Sequence, residues 1–152
     1  MSLSGDLANM RNIVETGRDE MLASVGPFPG VTQEVQIPMR DGHTSRSRIY
    51  GPPAGSQDRP RSLVIWYHGG GFCLGAVDED EQLFRQLCLN LACVVVSVEY
   101  RLAPEHPFPT PVDDCWDALQ WVCHYRRGIE ISILLNLPPK GMILTRGLLD
   151  CS

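Results

Sequence analysis

Two short, nearly continuous apolar runs constrain the fold of this chain more than any other feature of its sequence. Ser62–Tyr67 and Cys93–Tyr100 are rich in valine and other large apolar residues, and they lack the alternation of a half-exposed strand. Strands that are buried on both faces have this composition, and such strands usually belong to parallel sheets covered by helices. We therefore expect both runs to be central strands of an α/β sheet.

Helix signals follow each of these runs. After the first run, Asp78 and Glu81 form a pair that resembles a capping box, and an apolar helical stripe comes after it. After the second run a proline-rich loop ends at Pro109, and Thr110 and Pro111 favour the start of another helix as its cap and first residue. The predicted inward stripes are Leu83, Phe84, Leu87 and Leu91 in the first helix and Val112, Trp116, Leu119 and Cys123 in the second.

The N-terminal part of the chain has two further patterns. Residues 4–22 repeat apolar side chains near the helical period, which predicts an amphipathic helix. Its apolar positions are Leu7, Met10, Val14 and Met21. Residues 31–39 alternate with a period of two, Asp41-Gly42 is a hairpin signal, and residues 43–50 suit the return strand. A strand pair followed by strand, helix, strand and helix indicates an α/β fold.

Composition and charge exclude several classes of function. The net charge is −5 without a cluster of lysine or arginine, so nucleic acids and anionic membrane surfaces are poor partners. The apolar runs are too short to span a bilayer and no secretory pattern is seen, which predicts a cytoplasmic protein. Six cysteines without a CxxC pair indicate reduced thiols. The four histidines lack metal-ligand spacing, so we expect neither a metal nor another cofactor.

The segment His68-Gly69-Gly70-Gly71-Phe72 comes directly after the first apolar run. Three successive glycines let a substrate or another backbone approach closely, and their backbone N–H groups can converge on one point. Such groups stabilise the oxyanion of acyl transfer. The alternatives are a glycine-rich turn without chemistry and a phosphate-binding loop, although the sequence has neither GxGxxG nor GxxxxGK followed by Ser or Thr.

A second motif, YRLAPEHPFP at residues 100–109, follows the second apolar run and precedes a helix with the pattern DxxWxAL. With HGGGF about thirty residues earlier, this order resembles the hormone-sensitive-lipase group of α/β-hydrolases from about Val31 to Trp121. The resemblance implies an incomplete α/β-hydrolase fold, with a mostly parallel sheet, helices on both faces and an antiparallel N-terminal strand pair. It divides the chain into a cap-like helical segment (1–30), the N-terminal half of the hydrolase core (31–127) and a divergent tail (128–152).

The resemblance also implies roles for the motif residues. Gly70 and Gly71 would donate their backbone N–H groups to the oxyanion, whereas His68 would order the loop and would not be the catalytic base. Arg101 and Glu105 would form a buried pair that holds the loop beneath the site. The other residues with an implied supporting role are Gly69, Phe72 and Tyr100. The N-terminal helix would correspond to the small cap over the acyl pocket.

The nucleophile of such an enzyme is expected in a GxSxG turn, with an acid and a base further along the chain. None of the serines lies in that pattern, so the catalytic nucleophile, acid and base are missing from this chain. Residues 139–144 faintly resemble the strand before that turn, but residues 145–151 replace the expected glycines and serine. A shifted reading frame, a retained intron or a wrong gene model would produce such a tail, and a genuinely divergent terminus is the alternative.

Two functions are compatible with these features. The first is a carboxylic-ester hydrolase that acts on small-molecule acyl esters in the complete fold. The second is a catalytically inactive truncated product or pseudoenzyme that at most binds a ligand. In either case one edge of strand 62–67 stays open unless Gly141–Thr145 pairs with it, so we expect either that pairing or self-association through the exposed edge.

Overall fold

The computed structural model of the chain describes residues 3–53 and 62–125. Its elements are α1 (Leu3–Ser24), β1 (Val31–Pro38), β2 (Thr44–Gly51), β3 (Leu63–Tyr67), α2 (Glu81–Leu91), β4 (Val94–Val98) and α3 (Thr110–Tyr125). In this part of the chain no helix has both the length and the apolar character needed to cross a membrane. The predicted tail, including residues 141–145, lies outside the described residues.

The four strands form one mixed sheet in the order β1-β2-β4-β3. β1 and β2 form an antiparallel hairpin, and Gly42 in its turn has a φ of +85°. β2 also pairs antiparallel with β4, whereas β3 pairs parallel with β4. The predicted strand pair is therefore present, and the parallel portion of the sheet begins at β3 and β4. Because these two strands run in the same direction, the loops that follow them meet at one edge of the sheet.

Helices cover both faces of the sheet, as the sequence predicts. β4 is buried along its whole length. Alternate valines of β4 pack with Ala118 and Val122 of α3 in one core cluster. Val95 packs with Phe84 and Cys88 of α2 in the other cluster. Since successive side chains of a strand point to opposite faces, α2 and α3 lie on opposite sides of the sheet.

The start of α2 differs from the prediction. Asp80 is at the N-cap position and makes no side-chain capping hydrogen bond, so Asp78 and Glu81 do not form a capping box. Glu81 is instead buried, where its carboxylate accepts a hydrogen bond from the Tyr50 hydroxyl at 3.1 Å and forms a salt bridge with Arg85. The acidic run before α2 therefore anchors this helix to the sheet.

The apolar stripes predicted for α2 and α3 are partly wrong. In α2, Leu83 and Leu91 are exposed, and in α3, Val112 and Trp116 are exposed. The buried positions are Glu81, Phe84 and Cys88 in α2 and Pro111, Asp114, Ala118 and Val122 in α3. The buried face of each helix includes a carboxylate, and a search for apolar periodicity does not detect such a residue.

α1 rests on the rest of the molecule through a face that mixes apolar and basic side chains. None of its described side chains is fully buried. The half-buried positions include Leu7, Arg11, Val14, Arg18 and Met21. Met10, which the apolar pattern placed inward, is exposed because Arg11 occupies the inward position.

Candidate active site

Two loops meet beyond the carboxyl ends of β3 and β4. The glycine loop, residues 68–75, follows β3, and the motif loop, residues 99–109, follows β4. The Tyr100 hydroxyl joins them by donating to the His68 carbonyl oxygen at 2.7 Å. Ligands of open α/β sheets bind outside the carboxyl ends of the strands, so a site is expected at this edge.

The glycine loop requires glycine at specific positions. The φ angles of Gly70, Gly71 and Gly75 are +107°, +61° and +106°, in the left-handed region that favours glycine. A Cβ at Gly70 would overlap the Leu74 carbonyl, and a Cβ at Gly75 would overlap the His68 ring. A Cβ at Gly71 would meet no described atom within 4 Å. Gly71 therefore borders open space, whereas the other two glycines permit close packing within the loop.

Hydrogen bonds at two carbonyl groups set the directions of the Gly70 and Gly71 N–H groups. In a planar trans peptide the N–H points opposite to the C=O of the same peptide. The Gly69 carbonyl oxygen lies 2.9 Å from His68 Nδ1, which orients the Gly70 N–H. The Gly70 carbonyl oxygen accepts two N–H groups from the following turn, both at 3.1 Å, which orients the Gly71 N–H. Within residues 3–53 and 62–125 neither N–H has an acceptor, so both can donate to an anionic oxygen.

His68 is packed as a buried supporting residue. Its ring stacks on Tyr100 with 4.2 Å between centroids, and Phe72 meets the same Tyr100 ring edge-on at 6.0 Å. Because a carbonyl oxygen only accepts, the Nδ1 that faces Gly69 carries a proton. Nε2 is buried without a hydrogen-bond partner in the part of the chain that the structure describes.

The predicted pair of Arg101 and Glu105 is wrong. Arg101 binds Asp114 of α3 through side-chain hydrogen bonds of 2.6 and 2.9 Å, and its Nη1 lies 2.7 Å from a carboxylate oxygen of Asp41. The Asp114 side chain is only 1% exposed. A buried carboxylate requires a counter-charge, and Arg101 supplies it. Hydrogen bonding to Asp114 raises the pKa of Arg101 further above its ordinary range.

Glu105 binds α1 instead. Arg11 donates to both of its carboxylate oxygens, at 2.7 and 2.9 Å, and these hydrogen bonds lower the pKa of Glu105 to about 2. The Glu105 side chain is 55% exposed, so solvent screens the charge attraction. Sequence reasoning missed this contact, although Arg11 has the inward helical spacing between Leu7 and Val14 that would have indicated it.

A cavity of about 240 Å³ lies between α1 and the glycine loop. Its lining includes Arg11, Val14, Leu74, Gly75, Glu79 and Leu102. One carboxylate oxygen of Glu79 is buried and has no hydrogen-bond partner among the described residues. Over the same residues, no three His, Cys, Asp or Glu side chains are grouped as metal ligands. The site thus combines two directed N–H donors with an adjacent cavity under a helix.

Comparisons with known proteins agree with the α/β fold of this chain. Residues 64–134 match the model of a family described by its alpha/beta hydrolase fold. The esterase LipI of Mycobacterium tuberculosis is 41% identical over 83 residues, which cover 55% of this chain and 26% of the relative. The carboxylesterase NlhH of the same species is 47% identical over 75 residues, which cover 49% of this chain and 23% of the relative.

A solved structure is similar over a longer stretch. The carboxylesterase EstE1, cloned from a metagenomic library, has a TM-score of 0.72 and 36% identity. The similarity covers 86% of this chain and 42% of EstE1. The chain therefore spans well under half the length of these proteins.

Proposed function

Because this chain belongs to the α/β hydrolase fold family, we propose that it is part of a carboxylic-ester hydrolase that transfers acyl groups through a serine. The observation that carries the proposal is the pair of Gly70 and Gly71 N–H groups. Each is directed by a hydrogen bond at the preceding carbonyl, and each lacks an acceptor in the described part of the chain. Donors that are held in this way stabilise developing negative charge without rearranging during the reaction.

The proposed mechanism assigns these donors to the tetrahedral intermediate. In the complete fold a serine hydroxyl would attack the acyl carbonyl carbon, and a base would accept the hydroxyl proton. The carbonyl oxygen would become an oxyanion, to which Gly70 and Gly71 would donate. The intermediate would then collapse as the base returns its proton to the leaving alcohol oxygen, and water would hydrolyse the acyl-enzyme to the carboxylic acid and free serine. His68 would take no proton in this scheme, because its remaining ring nitrogen, Nε2, is buried within the protein.

We assign small or medium acyl esters as substrates. α1 lies beside the cavity of about 240 Å³ next to the glycine loop, and this position supports a role as a small cap. Pockets for drug-sized ligands measure about 300–1,000 Å³, so this space suits a short acyl or alcohol group. The names of the relatives, esterase and carboxylesterase, support an ester as the substrate class.

The sequence itself favours a second candidate for this chain taken alone. Its 152 residues contain no GxSxG turn, and we can assign neither the nucleophile nor the acid and base to any of them. The alternative is therefore a catalytically inactive truncated product or pseudoenzyme with at most a binding role. A ligand would then occupy the same cavity without being hydrolysed.

A chimera distinguishes the two candidates. Residues 1–125 are joined to the part of EstE1 that follows the matched region, and the product is compared with the 152-residue chain. We expect the chimera to hydrolyse p-nitrophenyl butyrate and to react with a fluorophosphonate probe at one serine, and the 152-residue chain to do neither. A folded chimera without turnover would contradict the hydrolase proposal. Stoichiometric serine labelling of the 152-residue chain would contradict its inactivity.

A further inference from the structure

Arg11 of α1 binds both loops of the candidate site at once. Its Nε donates to the Cys73 carbonyl oxygen at 2.9 Å, and its Nη2 donates to the Ala103 carbonyl oxygen at 2.7 Å. The same guanidinium makes the two hydrogen bonds to Glu105. One side chain therefore joins α1 to the turn of the glycine loop and to the motif loop.

Two peptide groups donate their N–H to the Gly70 carbonyl oxygen. The carbonyl of each of these two peptide groups accepts a hydrogen bond in turn. The donors to this oxygen are the N–H groups of Cys73 and Leu74. The Cys73 N–H shares its peptide plane with the Phe72 carbonyl, which accepts the Ala103 N–H at 2.8 Å. The Leu74 N–H shares its peptide plane with the Cys73 carbonyl, to which the guanidinium donates. The guanidinium thus orients the Leu74 N–H, which is one of the two donors to the Gly70 carbonyl oxygen. The direction of that carbonyl in turn fixes the direction of the Gly71 N–H.

The carbonyl bonds matter more for this role than the ion pair does. The Glu105 carboxylate is more than half exposed, and exposed ion pairs contribute little because solvent screens them. The bonds to Cys73 and Ala103 are partly buried and charge-assisted, which makes them shorter and stronger than neutral ones. α1 has no fully buried side chain among those described, and these bonds add to the half-buried contacts that hold it. A lysine could not replace the planar fork that reaches two carbonyls and a carboxylate together.

We propose that Arg11 is a positioning residue that couples the docking of α1 to the direction of the Gly71 N–H. The series of contacts runs from the guanidinium through the Cys73 carbonyl, the Leu74 N–H and the Gly70 carbonyl. When α1 separates from the glycine loop and the motif loop, the Cys73 carbonyl loses its charged donor. The Gly70–Gly71 peptide is then less restrained. The inference rests on the proposed function for its catalytic meaning, but its structural step is measurable without catalysis.

Amide hydrogen exchange of the 152-residue chain, followed by NMR, tests the series of contacts. We expect Arg11→Met to accelerate exchange of the Leu74 N–H about tenfold or more, because a charge-assisted hydrogen bond is lost. Arg18→Met is the matched control. Arg18 lies two turns further along the same face, where it faces Asp78 at 3.6 Å and makes no hydrogen bond to the glycine loop. This control should change Leu74 exchange by less than about twofold.

Two further variants separate the ion pair from the carbonyl bonds. Glu105→Gln keeps the guanidinium in place and should change Leu74 exchange by less than about threefold. Arg11→Lys keeps the charge without the fork and should behave like Arg11→Met. In the chimera, Arg11→Met should lower kcat at a nearly constant KM, because the oxyanion forms only near the transition state.

Equal Leu74 exchange in the parent and in Arg11→Met would overturn the inference, and so would equal acceleration by Arg18→Met. A parent chain whose Leu74 amide exchanges as fast as in an unfolded peptide would also overturn it, since nothing would then be positioned. The exchange measurement needs no turnover. An inert chimera would therefore count against the proposed function, and the exchange result would still decide the role of Arg11.

Discussion

Arg101 and Asp114 form a buried ion pair beside the candidate site, with side chains that are 14% and 1% exposed. Removing one partner of such a pair leaves an uncompensated charge, and this typically costs about 3–5 kcal/mol. We therefore expect Arg101→Met to lower the free energy of unfolding by about 3 kcal/mol or more, measured by urea titration of the 152-residue chain.

Arg40 provides the matched control for this measurement. It also binds carboxylates of α3, namely those of Asp113 and Asp117, but its side chain is half exposed. Asp117 is 11% exposed, but the Arg40 side chain lies half in solvent and the Arg40 backbone N–H still donates to Asp117, so Arg40→Met should lower the free energy of unfolding by about 1 kcal/mol, less than Arg101→Met. Equal losses for the two arginine variants would show that the Arg101–Asp114 pair is not a buried support of the site.

The Glu105 carboxylate gives the contact with α1 a defined pH dependence. Its pKa is about 2 in the folded chain against an ordinary value of 4.5, and the first cause is the hydrogen bond from Arg11. The folded state therefore binds fewer protons than the unfolded state between these values. The contribution of this contact to stability is complete above the ordinary pKa and is lost as the pH falls towards the folded one.

NMR titration of the Glu105 side-chain carboxyl carbon measures this pKa directly. We expect a value well below the ordinary one in the parent and a return towards the ordinary one in Arg11→Met, because the hydrogen bond that favours the ionised form is gone. Arg18→Met serves as the control and should leave the Glu105 pKa low. An ordinary pKa in the parent would mean that the contact does not persist in solution.

We expect substitution by alanine to have different effects at Gly71 and at Gly70 in the chimera. A Cβ at Gly71 enters open space, although its φ of +61° is unfavourable for alanine by about 1–2 kcal/mol. Gly71→Ala should therefore fold and lower kcat about tenfold or more with little change of KM, because the donor to the oxyanion is displaced. Gly70→Ala should also disturb the loop, because its Cβ overlaps the Leu74 carbonyl. Unchanged kcat in Gly71→Ala would remove this residue from the oxyanion hole.

The sequence predicted the loops of the site better than their side-chain partners. The glycine loop follows β3 as expected, because the requirements of a glycine run at a strand end are local. The partner of Glu105 is 94 residues away in the chain, and no local pattern specifies such a contact. Asp114 precedes Ala118 and Val122 at helical spacing, so its buried position could have been recognised if charged residues had been included in the search for the inward face.

At the scale of elements, strands were easier to predict than the faces of helices. A strand buries nearly every inward residue, so its apolar run or two-residue period marks its extent in the sequence. The four strands accordingly lie within a few residues of their predicted bounds. A helix face, in contrast, rotates by about 100° with a one-residue error in the chosen stripe. The stripe of α3 was assigned through Trp116, whereas the helix contacts the sheet through Ala118 and Val122.

The contributions of the two sides of α3 to stability can be compared by replacing one side chain on each side with alanine. Val122 is fully buried in the core cluster, so Val122→Ala should lower the free energy of unfolding by about 2 kcal/mol. Trp116 is 47% exposed, so Trp116→Ala should cost less than about 1 kcal/mol in spite of the larger side chain. Urea titration of both variants gives the comparison. A larger loss for Trp116→Ala would mean that the exposed side of α3 is covered in the folded chain.

At the scale of the whole molecule, β3 is the outer strand of the described sheet. It pairs with β4 on one side, and the described residues provide no strand on its other side. The chain corresponds to 42% of the EstE1 structure, so the described sheet is only part of the sheet in that fold. An apolar strand with unpaired N–H and C=O groups readily pairs with other chains.

We therefore predict that the open side of β3 is covered in one of two ways in solution. If Gly141–Thr145, which lie outside the described residues, pair with this edge as a parallel strand, the protein is a monomer. Otherwise the edge recruits a second copy, and association grows with concentration. Light scattering over a range of concentrations, combined with hydrogen exchange of β3, separates the two, because successive N–H groups of a strand face alternate sides. A monomer in which every second β3 amide exchanges freely would contradict both, since an uncovered apolar edge would then persist without a partner.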